Sequence, residues 1–164
     1  MIFCFNAGEV FRIAVQIEEN GKAFYEKAQS VIEDAEVKKL FADLALEEVE
    51  HKKKFQDLMA QFPPSASTPT VSDPDNQLDQ YIQMMADQHI FGTTEGVDRE
   101  LAGVRNAVDA LKMALQFEKD SVIFFLGMQE ATCEGKDRDL IHLLVKEEQE
   151  HVRRLSLQLR RLTR

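Results

Sequence analysis

Apolar and small residues return every third or fourth position along most of this chain, the period of one face of a helix. Phe11, Ala14, Gly21, Tyr25, Ala28 and Ile32 mark such a face on a first helix from about Asn6 to Ser30, with Asn6 and Glu9 forming a capped start. Leu40, Phe41, Leu44, Phe55, Leu58 and Phe62 mark a second helix from about Asp34 to Gln61, which Pro63 and Pro64 stop. Residues 63 to 74 read as a linker, and then Leu78, Tyr81, Ile82 and Met85 predict a short amphipathic helix from about Asp75 to His89. Past Phe91 to Thr94 a long helical pattern resumes, carrying Leu111, Ala114, Phe125, Met128 and Thr132 on one face and ending near Gly135, a candidate C-cap.

The last helix, about Lys136 to Leu162, turns Ile141, Leu144, Val152, Leu155 and Leu159 inward. Its closing Arg153, Arg154, Arg160, Arg161 and Arg164 suit the negative end of the helix dipole and read as a solvated basic end. The pattern predicts an all-α chain forming one domain over 1–164. A helix hairpin at 6–61 and another at 104–162 are joined by a crossover at 62–103.

A shift of 100 positions superposes the hairpins: Glu18 on Glu118, Phe24 on Phe124, Leu40 on Leu140, Leu44 on Leu144, Glu48 on Glu148, Glu50 on Glu150 and His51 on His151. In each, a Glu is followed after 30 positions by E-x-x-H. The midpoints, 33 and 133, fall near the expected turns, so both parts lie about 22 Å of helix from their own turn. Glu18 and Glu118 interrupt faces that are otherwise apolar or small, and Glu48 and His51 interrupt an inner stripe in the same way.

Composition adds compartment and partners to this picture. With 164 residues, 44% of them hydrophobic, the chain can bury one core, and 30% charged residues with no Trp fit a helical protein. The net charge of −9 speaks against nucleic-acid or anionic-membrane partners. Cys4 and Cys133 form no C-x-x-C, and Met1 to Phe5 lacks a basic flank and meets Glu9 too soon for a signal peptide. A soluble, cytoplasmic protein is expected.

Four carboxylates facing one core at one level repel each other and lose their hydration unless cations neutralise them. Two divalent ions balance four glutamates while the histidines bind as neutral ligands. In E-x-x-H the two side chains stand about 60° apart on the helix, close enough to share one cation or a bridged pair. An oxygen-rich set with one imidazole per ion suits iron or manganese, and zinc can substitute. Iron is favoured because carboxylate bridges tolerate both ferrous and ferric states.

On Ile17 to Gly21, Phe24 and Tyr25, and the two runs Glu47 to His51 and Glu147 to His151, the chain resembles the rubrerythrin branch of the ferritin-like di-iron carboxylate superfamily. The resemblance implies a ferritin-like four-helix bundle of two antiparallel hairpins joined by a long crossover containing a short helix. It maps metal ligands onto Glu18, Glu48, His51, Glu118, Glu148 and His151, with Glu48 and Glu148 bridging two irons and Glu18 and Glu118 terminal. Tyr25, the candidate catalytic side chain, takes the place of a family tyrosine that hydrogen-bonds a ligand carboxylate; an amphipathic core tyrosine is the other reading.

Two departures bear on function. No paired C-x-x-C of a rubredoxin domain is present, so electrons would arrive from a separate donor protein such as a rubredoxin. Ser121 stands where the family tends to carry an additional Glu, which implies a six-ligand site closer to that of bacterioferritin or a symmetric erythrin. The expected function is a di-iron oxidoreductase reducing hydrogen peroxide or dioxygen, acting as a homodimer. A ferroxidase or iron-storage protein is the alternative, and a non-enzymatic helical module with a buried polar network is a third. Gly21 and Ser121 read either as room for a small oxidant or as points of close helix approach, and His89 and His142 as ordinary partly buried side chains.

Overall fold

A computed structural model describes residues 7–61, 77–90, 92–132 and 136–164. The sequence's Asn6 cap, the 63–74 linker with its prolines, both cysteines and Gly135 lie outside them. Among the described residues six helices follow in order: α1 (Ala7–Ala28), α2 (Ala35–Met59), α3 (Gln77–Gln88), α4 (Thr94–Leu101), α5 (Ala107–Ala131) and α6 (Lys136–Leu162). Among them none is long and apolar enough to cross a membrane.

Side-chain oxygens set several of these starts by accepting from backbone N–H groups that the first helical turn leaves unpaired. Asp34 accepts from Val37 N at 3.0 Å, Thr93 from Gly96 N at 3.0 Å, and Asn106 from Asp109 N at 2.9 Å. The Asn106 cap explains a departure from the sequence reading. The pattern after residue 94 reads as one long helix, yet α4 closes at Leu101 and α5 begins afresh at Ala107, with buried Val104 between them. The crossover therefore carries α4 as well as the expected α3.

The bundle is ferritin-like: α1 and α2 form one antiparallel hairpin, α5 and α6 the other, and α1 meets α5 while α2 meets α6. The α1–α2 turn sits beside the start of α5 and the end of α6, where Val31 and Asp34 share a cleft with Asn106 and Leu162. The two hairpin turns are thus at opposite ends. Arg161 ties this end together, donating to Asp34 at 2.6 Å and lying 3.1 Å from Glu36, so the terminal arginines are not simply a solvated run.

Apolar packing encloses mid-height from both sides. Phe11, Phe55 and Phe125 meet below it, with ring centroids 5.9 and 5.1 Å apart, and Phe24, Tyr25 and Phe41 pack above. All six are buried, and each such ring contributes about 1.5–3 kcal/mol by leaving water. Between the layers α1 comes close to α5. A Cβ built at Gly21 would collide with the Phe117 ring, so this glycine serves helix approach and leaves no room for an oxidant.

Candidate metal centre

The apolar layers leave one polar level between them. Glu18 on α1, Glu48 and His51 on α2, Glu118 on α5, and Glu148 and His151 on α6 all converge there, each 2% exposed or less. Their offsets from their own turns are equal and the turns lie at opposite ends, so the two half-sites meet at mid-height.

The six fall into two overlapping groups: Glu18, Glu48, His51 and Glu148 form one, and Glu48, Glu118, Glu148 and His151 the other. Within each group the candidate ligand atoms lie within 4.8 Å of one another. Glu48 and Glu148 belong to both groups, which is the arrangement of bridging carboxylates. His51 Nδ1 lies 2.7 Å from Glu148, 3.4 Å from Glu18 and 3.5 Å from Glu48. His151 Nδ1 lies 3.2 Å from Glu148, 3.3 Å from Glu118 and 3.8 Å from Glu48. The two rings stack, with centroids 5.3 Å apart and planes 15° apart.

Closeness here is not hydrogen bonding. Among the described residues, nine buried side-chain atoms have no hydrogen-bond partner, and all nine are carboxylate oxygens or Nδ1 atoms of these six residues. Buried polar atoms left unpaired cost about 1–3 kcal/mol each, and more when charged. A set of this size is therefore held for something other than hydrogen bonds. Four carboxylates and two imidazoles at such distances fit two divalent cations, and the oxygen-rich composition suits iron or manganese.

The electrostatics point the same way. Burial first, then the charges of Glu18 and Glu148, push Glu48 well above the usual carboxylate range. Burial likewise pushes Glu118 up to about 8, although His151 opposes it. For Glu148 burial is outweighed by the two imidazoles, which hold it low. Burial disfavours charge on His51 and His151, yet the surrounding carboxylates raise both. Without a cation this cluster has to hold protons, and metal uptake would release them.

Around this inner set stands a second, crossed one. His51 Nε2 is 2.9 Å from Glu147 on the opposite hairpin, and His151 Nε2 is 2.9 Å from Glu47. Lys54 donates to Glu147 at 2.7 Å and Arg154 to Glu47 at 2.8 and 2.9 Å. The bond to each histidine is the main cause that holds both glutamates down at about 2, against a smaller opposing effect of partial burial. An ionised carboxylate on Nε2–H leaves Nδ1 as the lone-pair nitrogen and points it inward. Tyr25 completes the shell: fully buried, it donates a short hydrogen bond to Glu118, and burial raises its own pKa, so it keeps its proton.

All six residues expected as ligands thus come together, and Tyr25 is a hydrogen-bond partner of one of them rather than only a core ring. Glu50 and Glu150, also matched in the repeat, are exposed, and Glu150 pairs with Arg153. Glu47, Glu147, Lys54 and Arg154 drew no role from sequence, although Glu47 and Glu147 share the same 100-residue offset. The histidines outside the repeat differ from expectation in opposite ways. His142 is exposed beside Gln129, whereas His89 is buried and lies 3.1 Å from Ser121, because α3 folds back over α5.

The family model for rubrerythrin matches residues 9–159. A crystal structure from Thermotoga maritima, provisionally described as a ferritin-like diiron-carboxylate protein, is similar to 99% of this chain over 100% of its own, with a TM-score of 0.73 and 20% identity. None of the curated proteins matches the chain.

Proposed function

We propose that this chain, which belongs to the rubrerythrin family, is a di-iron oxidoreductase that reduces hydrogen peroxide or dioxygen. The observation that carries the reading is the set of nine unpartnered ligand atoms on six converging residues, four of them carboxylates. Two iron ions would be held by Glu18, Glu48, His51, Glu118, Glu148 and His151, with manganese or zinc as possible substitutes. When bound, they supply electrons and Lewis acidity for cleavage of an oxygen–oxygen bond.

The chain's own residues would hold and shape that chemistry. Glu48 and Glu148, common to both groups, would serve both ions, and Glu18 and Glu118 would each serve one. Tyr25 fixes the Glu118 carboxylate, while Glu47 and Glu147 fix the two imidazoles. The aromatic layers on either side exclude water, which strengthens each of these interactions. Electrons would come from a separate donor protein such as a rubredoxin, and the working unit would be a cytoplasmic homodimer.

The symmetry of the six-residue set, with Ser121 rather than a further carboxylate one turn beyond Glu118, favours ferroxidase or iron-storage chemistry as a second reading. Mixing the anaerobic ferrous protein with peroxide and, separately, with air separates the two. Faster oxidation by peroxide, with no mineral growing under excess iron, is expected. Rapid aerobic turnover of many irons per chain would replace the oxidoreductase reading with iron storage.

A further inference from the structure

The two hairpins repeat each other in sequence, yet they do not hold their half-sites alike. Oε1 of Glu118 accepts a hydrogen bond from the hydroxyl of Tyr25. That tyrosine is itself fixed, fully buried with Phe24, Phe41 and Phe117 at ring-centroid distances of 5.5, 5.0 and 6.1 Å. The residue 100 positions further on is Phe125, a fully buried ring that packs on Phe55 and has no hydroxyl to donate. Both oxygens of Glu18 lack a hydrogen-bond partner, whereas in Glu118 only Oε2 does. A carboxylate has about four lone-pair positions, so the tyrosine fixes Glu118 and still leaves Oε2 open to an ion.

The outer carboxylates differ in the same direction. Behind His151, Nη1 of Arg154 donates to both oxygens of Glu47, at 2.8 and 2.9 Å, and Oε2 of that glutamate lies 2.9 Å from Nε2 of the ring. Behind His51, Nζ of Lys54 donates at 2.7 Å to Oε2 of Glu147, the same oxygen that lies 2.9 Å from Nε2 of the ring. A planar guanidinium spanning both oxygens fixes how a carboxylate is turned. An ammonium on a flexible stem, meeting one oxygen, leaves the carboxylate free to turn about that contact. Arg154 is also the less exposed of the two, at 24% against 35% for Lys54, so water competes less for its bonds.

Glu118 and His151 belong to one group of candidate ligands, and Glu18 and His51 to the other. Glu48 and Glu148 are common to both groups and so do not distinguish them. The tyrosine and the arginine therefore favour the same group. Side chains already held in place lose less freedom when an ion arrives, and binding there costs less.

We infer that the two metal positions are unequal. The position made by Glu118 and His151 fills first and keeps its ion longer, and the position made by Glu18 and His51 fills second and is the one that exchanges. This rests on the dinuclear centre proposed above and adds to it an order of loading, with Tyr25 and Arg154 as the positioning residues that set it.

Stepwise addition of zinc to the apoprotein, reading the ring-nitrogen NMR signals of His51 and His151, tests the order without redox turnover. At one zinc per chain, His151 should be metal-bound in at least about 10-fold more molecules than His51, the scale of one hydrogen bond to a charged group. A chelator added to the fully loaded protein should free His51 before His151. Tyr25→Phe, which copies the side chain at 125, should lower the ratio several-fold while two ions still bind. Arg154→Lys, which gives Glu47 the kind of partner that Glu147 has, should lower it as well. His51 filling first, both rings responding together from the first addition, or a ratio unchanged in Tyr25→Phe would overturn the inference. Fewer than two zinc ions per wild-type chain would instead overturn the dinuclear centre on which it rests.

Discussion

At His51 and His151 the two ring nitrogens face different chemistry. Nδ1 looks into the carboxylate cluster, and Nε2 looks across to the other hairpin's Glu147 or Glu47. Replacing Glu147 or Glu47 by Gln keeps the shape and removes the charge that favours the correct tautomer. Each replacement is expected to weaken zinc binding by about 10- to 100-fold, read by competition titration, whereas Glu150→Gln, on the exposed face, should leave it unchanged. The six inner residues were legible in the sequence because a charged residue on an apolar face stands out, and does so twice at the same offset. Glu47 and Glu147 repeat equally well but lie at the edge of the inner face. Their role depends on which helix lies opposite, and no single-helix period reports that. His89 gave no signal at all, since it lies in the crossover, outside the repeat.

Among the elements, α1 and α5 approach through Gly21, with the Phe117 ring filling the place of a side chain. Phe117 is itself fully buried and packs against Tyr25 and His89, so it has little freedom to retreat. Gly21→Ala should cost about 1–3 kcal/mol of stability by overpacking, measured by urea unfolding. A change near zero would mean that the α1–α5 contact is looser than described. The sequence left Gly21 open between close approach and space for an oxidant, because a missing side chain reads the same either way until its neighbour is known. The split between α4 and α5 was hidden for a related reason. Val97, Val104 and Leu111 are all buried at seven-residue intervals, so the apolar rhythm continues through a break made by capping.

For the molecule as a whole, the placement of the site follows from one arithmetic fact and one topological one. Each hairpin carries its Glu and its E-x-x-H at equal distances from its turn, and the crossover sets the two turns at opposite ends. The half-sites can then coincide only at the middle of the bundle, where both apolar layers enclose them. The fold class and the six converging residues could be read from the repeat and the resemblance it carries, while the crossed outer carboxylates needed three dimensions. On the function proposed above, this middle level would hold two metal ions through six side chains, two of them shared. Anaerobic titration of the apoprotein with ferrous iron, counting metal per chain, tests it most directly. Two ions per chain are predicted for wild type, with both lost in Glu148→Ala, which removes a ligand common to the two positions. One ion or none in wild type, or two retained in Glu148→Ala, would contradict the dinuclear centre.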